Sequence, residues 1–139
     1  VNDILRQIEA DLAPKPGDQP RRILVCGSRS WTDRKRIERV LFEYMPEEAW
    51  ADEPTIIHGG AKGADRIAGD VAMWAGFWVE AHPANWRKHG KAAGPLRNRA
   101  MLDTKPDLVI AFQVDGSRGT QDCIDEARRR GIPVRVEAA

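Results

Sequence analysis

The chain has 139 residues, with 22 Lys and Arg against 21 Asp and Glu and a formal net charge of +1. That length suits one domain, or one domain with an arm, and the balanced charge argues against a protein that holds nucleic acid by bulk positive charge. The two cysteines, Cys26 and Cys123, are far apart and form no C-x-x-C, no apolar run is long enough to cross a membrane, and the start shows no signal-peptide pattern. A cytoplasmic protein with reduced thiols and no membrane partner is therefore expected.

Residues 1–12 place Val1, Ile4, Leu5, Ile8 and Leu12 on one helical face. Pro14, Pro16, Gly17 and Pro20 then make 13–20 an extended linker. Residues 1–21 are thus a short helical arm, and 22–139 are the domain that it precedes. Arg22 to Cys26 is the first strand, nearly continuous in apolar residues, as a strand covered on both faces should be. Thr32 or Asp33 caps a helix burying Ile37, Val40, Leu41 and Tyr44, and Pro46 ends it. An acidic loop with Trp50 follows over 47–54. Thr55 to His58 is the second strand; after a glycine turn, Ile67, Ala68, Val71, Ala72 and Ala75 mark a helix closed by Gly76. Phe77 to Ala81 is the third strand. His82 to Lys91 is polar and basic and reads as a loop over a ligand, and Gly94-Pro95 opens a helix through Leu102. Asp107 to Phe112 is the fourth strand. The last helix runs to Arg130, and Pro133 to Val136 is a short edge strand.

Strand and helix alternate, so an open, mostly parallel, Rossmann-like α/β sheet of about five strands is expected, with helices on both faces. Ligands bind such sheets beyond the carboxyl ends of the strands. Three glycine-containing turns fall there: Gly27-Ser28-Arg29, the run from Gly59 through Gly60, Gly63 and Ala64 to Asp65, and Gly116-Ser117-Arg118-Gly119-Thr120. Backbone N–H groups at a glycine turn that opens a helix suit a phosphate. Arg29 and Arg97 can add charge-assisted bonds, and Asp65 can take a ribose hydroxyl or cap its helix. Trp31 and Trp86 lie near these loops and can stack on a base. His58, His82 and His89 show no ligand spacing for a metal, and neither metal nor cofactor is expected.

These residues resemble a known family. Gly27-Ser28-Arg29, His58-Gly59-Gly60-Ala61-Lys62-Gly63-Ala64-Asp65, Pro83-Ala84-Asn85-Trp86, Gly94-x-x-Arg97-Asn98-x-x-Met101 and Gly116-x-x-Gly119-Thr120 together resemble the SLOG superfamily, in its YspA-type branch of small Rossmann-like domains from bacteria and phages. The likeness spans about residues 22–136 and leaves out the N-terminal arm. It implies a nucleotide or nucleotide-derived ligand, with Arg97 and Asn98 on the phosphate side of the site, and it implies a homodimer, since relatives often pair. Two positions depart from the pattern. The LOG enzymes of this superfamily carry Pro-Gly-Gly-x-Gly-Thr-x-x-Glu with a catalytic Glu; here Ser117 replaces a Gly and Cys123 stands at the Glu. Asn85 stands where the YspA branch is expected to carry Asp. The expected function is therefore a binding or sensing module for a nucleoside phosphate, ADP-ribose or an NAD-related ligand. The alternatives are a nucleotide N-glycosidic hydrolase and a single-stranded nucleic-acid binder, the latter on the strength of Trp86 beside Arg87, Lys88, His89 and Lys91.

Overall fold

The computed structural model describes residues 2–12, 20–47 and 52–139. Val1, the linker at 13–19 and the loop tip with Trp50 lie outside the described residues, as does the side chain of Leu12. The strands are β1 (Arg22–Gly27), β2 (Thr55–His58), β3 (Trp78–Ala81), β4 (Leu108–Gln113) and β5 (Val134–Ala138). All pairings are parallel, in the order β3-β2-β1-β4-β5. The longest pairing is central: Ile23 stands beside Leu108 and Gly27 beside Phe112. Chain order reverses between β1 and β4, which makes their carboxyl ends the switch point of the sheet.

Alternation along β1 and β4 divides the core into two layers. Ile23, Val25, Leu108, Ile110 and Phe112 face α2 (Arg34–Phe42) and α3 (Ala64–Ala75), where Ile37, Val40, Leu41, Ala68, Val71 and Ala72 meet them. Leu24, Cys26, Val109 and Ala111 face α5 (Ala93–Asp103) and α6 (Arg118–Arg129), against Met101, Leu102, Cys123, Ile124 and Ala127. Each large apolar side chain buried this way contributes roughly 1.5–3 kcal/mol. Both layers close without the N-terminal arm. That arm, α1 (Asn2–Leu12), sets Leu5 and Arg6 over Ile124 and Val136 at the β5 edge but leaves Ile4 and Ile8 exposed.

Element ends shift by a residue or more at several places, and three differences from the sequence reading bear on the site and its surroundings. Within His82 to Lys91 a one-turn helix, α4 (Trp86–His89), forms because the Asn85 side chain accepts the Lys88 N–H at 3.0 Å. A 3₁₀ turn then leads into α5, which starts at Ala93, with Pro95 tolerated in the first turn where its missing N–H has no helical acceptor. β5 extends to Ala138, two residues beyond the expected end. No helix among the described residues is long and apolar enough to cross a membrane.

Candidate functional site

The carboxyl ends of β1 and β4 open into a cleft of about 350 Å³. Its walls bring together residues that the sequence scatters: Ser28 and Arg29 after β1, Asp65 in α3, Arg97 and Asn98 in α5, and the run from Gly116 to Thr120 at the start of α6. The volume falls at the lower end of the roughly 300–1,000 Å³ typical of small-molecule sites.

The turn after β2 is closed on itself. Asp65 accepts the Gly59 N–H at 3.1 Å and the Ala61 N–H at 3.3 Å, both on Oδ2. His58 Nδ1 accepts the Gly60 N–H at 3.0 Å, which places the proton of its neutral ring on Nε2. Burial, with His82 and Arg97 nearby, holds that imidazole below its usual range, so His58 serves the turn as an acceptor. The Ala64 N–H goes to the Ser28 carbonyl. Three glycines here serve packing. A Cβ at Gly27 would overlap the Ala64 methyl and come within 2.7 Å of the Phe112 carbonyl; one at Gly63, where φ is +89°, would strike the Ser28 and Arg29 carbonyls. Gly59 leaves room for the Arg97 guanidinium to lie against the backbone.

The turn after β4 is open. Ser117 stands at the N-cap position of α6, but its side chain accepts no N–H of the helix; its hydroxyl pairs instead with the Thr120 hydroxyl at 2.6 Å. The first-turn N–H groups of Arg118, Gly119 and Thr120 have no acceptor within the helix, and no acidic residue offsets the positive end of its dipole. A Cβ at Gly119 would meet nothing within 4 Å, and none at Gly116, where φ is +82°. Such a terminus can take an anion, with the Arg29, Arg97 and Arg118 side chains lining the same cleft.

Arg97 and Asn98 tie the two turns together. Arg97 Nη1 donates to the Gly59 carbonyl at 2.7 Å and its Nε to Asn98 Oδ1 at 3.1 Å. Asn98 Nδ2 donates to Asp122 at 3.0 Å and to the Gly119 carbonyl at 3.3 Å. Ser28 fastens the remaining wall, its Oγ accepting the Val114 N–H at 2.8 Å. In the floor of the cleft, Cys26 lies beside the fully buried Cys123; that neighbour and burial hold the Cys26 thiol well above its usual range.

Asp65 differs from the rest of the lining. It is 4% exposed, and burial pushes its carboxyl up to about 6, against the pull of Arg97, the two N–H donors and Arg29. Sequence reasoning named this residue but had no signal for its burial, because a first-turn Asp in a helix is ordinarily solvated.

The two tryptophans part company. Trp31 is not available to a ligand: it is 4% exposed, its ring centroid 5.3 Å from that of Phe112, with Nε1 donating to the Asp33 carbonyl. The expectation that it stacks on a base is corrected, since the polar residues flanking it project away from a ring sunk in the core. Trp86 is 49% exposed and stands beside the cleft rather than in its lining, with the guanidinium of Arg29, which does line it, 5.5 Å from its ring centre.

The family model described as "YspA, cpYpsA-related SLOG family" matches residues 21–89. The chain is 42% identical over 120 residues to the Gene 61 protein of Mycobacterium phage D29, an alignment covering 82% of this chain and 94% of that protein. Among solved structures it is similar to DNA processing protein A from Streptococcus pneumoniae, with a TM-score of 0.51 and 18% identity over 81% of this chain. The chain spans 57% of that structure's length, and at such identity the likeness is one of fold.

Proposed function

The chain belongs to the YspA, cpYpsA-related SLOG family, and from that premise we propose that its cleft binds a nucleotide or nucleotide-derived small ligand by its phosphate, as a binding or sensing module. The observation that carries this reading is the uncapped start of α6, with the bare Cα of Gly119 in the cleft wall and arginines 29, 97 and 118 around it. Backbone donors held by a helix need no reorganisation to receive a phosphate, and the arginines supply charge-assisted bonds that bare N–H groups lack. Hydrolysis of the LOG kind finds less support. Cys123, at the place of the LOG glutamate, is fully buried beside Cys26 and brings no carboxylate to a glycosidic carbon. Glu126, one turn on, is engaged by Arg99, Arg129 and Arg130.

A second reading rests on a separate observation. Trp86 and the exposed Arg87, Lys88 and Lys91 form a basic aromatic rim, which suits single-stranded nucleic acid and accords with the name of the DNA processing protein that shares this fold. The homodimer reading attaches to Ile4 and Ile8 of α1, two apolar side chains exposed on one arm.

Titration calorimetry with AMP, ADP-ribose, NAD and a dT oligonucleotide, on the protein and on Gly119→Leu, tests the proposal. The leucine fits the helix but fills the cleft. We expect one of the small ligands to bind the parent protein and to lose about a hundredfold in the variant, at an unchanged melting midpoint. Undiminished affinity in Gly119→Leu removes the start of α6 from the site. Salt-sensitive retention of the oligonucleotide alone favours the second reading.

A further inference from the structure

Asp65 carries more than the turn it closes requires. Its Oδ2 already receives both N–H donors of the loop. Oδ1 takes no protein donor among the described residues, although every fully enclosed side-chain polar atom among them has a partner. That oxygen is therefore not sealed in: it reaches the cleft, which Asp65 lines together with Gly119 and Arg97. Closing the turn needs one neutral acceptor oxygen, which Asn would supply without burying a charge. The carboxylate instead sets a second acceptor, with two lone pairs, toward the ligand space.

An acceptor-only group calls for a donor in the ligand. In a nucleoside 5′-phosphate, the hydroxyls nearest the phosphate that are not part of it belong to the sugar. We infer that Oδ1 of Asp65 receives the 2′- and 3′-hydroxyls of a ribose whose phosphate sits on the start of α6, so that the cleft selects ribonucleotides over deoxyribonucleotides. This rests on the nucleotide reading above and adds the sugar to it. It also separates two ligand classes that the rim of Trp86 leaves together, because a DNA strand offers no 2′-hydroxyl and has its 3′-oxygen esterified.

The test is calorimetry with four probes: AMP, 2′-deoxy-AMP, 3′-deoxy-AMP and ribose 5-phosphate. We expect AMP to bind at least about tenfold tighter than either deoxy analogue, the usual loss when a buried charged acceptor is left without its donor. Asp65→Asn keeps an oxygen for the two loop N–H groups and turns an amide toward the cleft. In that variant the ratio should fall toward one, with AMP and ribose 5-phosphate weakened alike. Equal affinity of the parent protein for AMP and both deoxy analogues overturns the ribose assignment and leaves the nucleotide reading intact. Weakening of AMP but not of ribose 5-phosphate in Asp65→Asn overturns it in favour of a base amino group as the donor. Failure of all four probes to bind while ADP-ribose or NAD binds overturns the ribose assignment beside a terminal 5′-phosphate, and failure of those two ligands as well overturns the nucleotide reading.

Discussion

The turns after β2 and after β4 are close in sequence character: each follows an apolar strand, holds glycines and opens a helix of 12 residues. Their donors end up in opposite places. After β2, the N–H groups of Gly59, Gly60, Ala61 and Ala64 are taken by Asp65, His58 and Ser28, so the turn carries its own anion. After β4, the start of α6 has neither a side-chain cap nor an acid in its first turn. A glycine-rich strand-to-helix turn is thus an anion site only when no side chain of the protein has already filled it. The lesson extends to the glycines themselves. Those at 27 and 63 are required by protein atoms, whereas that at 119 faces open space.

The sharpest way to break this contrast is to add one methyl group on each side of it. Gly27→Ala should cost at least about 3 kcal/mol in urea unfolding, because the new Cβ meets the Ala64 methyl at the start of α3 and the Phe112 carbonyl of the neighbouring strand β4, and neither packed element can retreat from β1. Gly119→Ala should be neutral or stabilising by up to about 1 kcal/mol, since alanine restricts the unfolded chain and suits a helix. Similar costs for both would mean that the start of α6 is as tightly built as the start of α3, and the distinction would fail.

Asp65 offers the next largest effect, this time through pH. Its carboxyl stands at about 6 in the fold against 3.8 for an ordinary aspartate. Between these values the folded state holds a proton that the unfolded chain has released, so stability falls as pH rises through that window. Below it the penalty vanishes; above it the full cost is roughly 3 kcal/mol. Asp65→Asn, which cannot ionise, should therefore be more stable than the parent protein at pH 8 by an amount approaching that figure, and the gap should close by pH 4. A gap that does not change with pH would show that Asp65 is solvated in the fold and would remove the argument that its charge is kept for a ligand.

Most of the fold was legible in the sequence, and the reasons are physical. Buried parallel strands need continuous apolar runs, and Arg22 to Cys26, Thr55 to His58 and Asp107 to Phe112 fall within one residue of β1, β2 and β4. The convergence of Ser28, Asp65, Arg97 and Gly119 on one cleft follows from topology, since each stands at a strand's carboxyl end or on the helix beside it. Three features carried no sequence signal. The helix α4 buries none of its residues and so has no apolar period. The indole of Trp31 turns into the core although its neighbours are polar. Which turn keeps its donors free depends on where the Asp65 carboxyl folds back, and Asp at a helix start is compatible with either outcome.

The smallest effect belongs to Trp86, and it separates the base from the rest of a ligand. In the structure one face of this ring is engaged by Arg29, a contact worth about 0.5–1 kcal/mol at an exposed site. A base that stacked there would displace the guanidinium, but Arg29 also lines the cleft and can turn to the phosphate, so the contact is exchanged rather than lost. Removing the ring should then weaken AMP by roughly fivefold to tenfold, the lower end of the roughly 1–3 kcal/mol for one base on one aromatic side chain. Ribose 5-phosphate, which has no base, should bind Trp86→Ala as it binds the parent protein. Equal loss for both ligands would assign Trp86 to holding Arg29 in place, and no loss for either would put the base on a different wall of the cleft. Loss for the dT oligonucleotide but not for AMP would place the rim outside the nucleotide pocket, as a surface that follows a strand rather than the end of a site that encloses one residue of it.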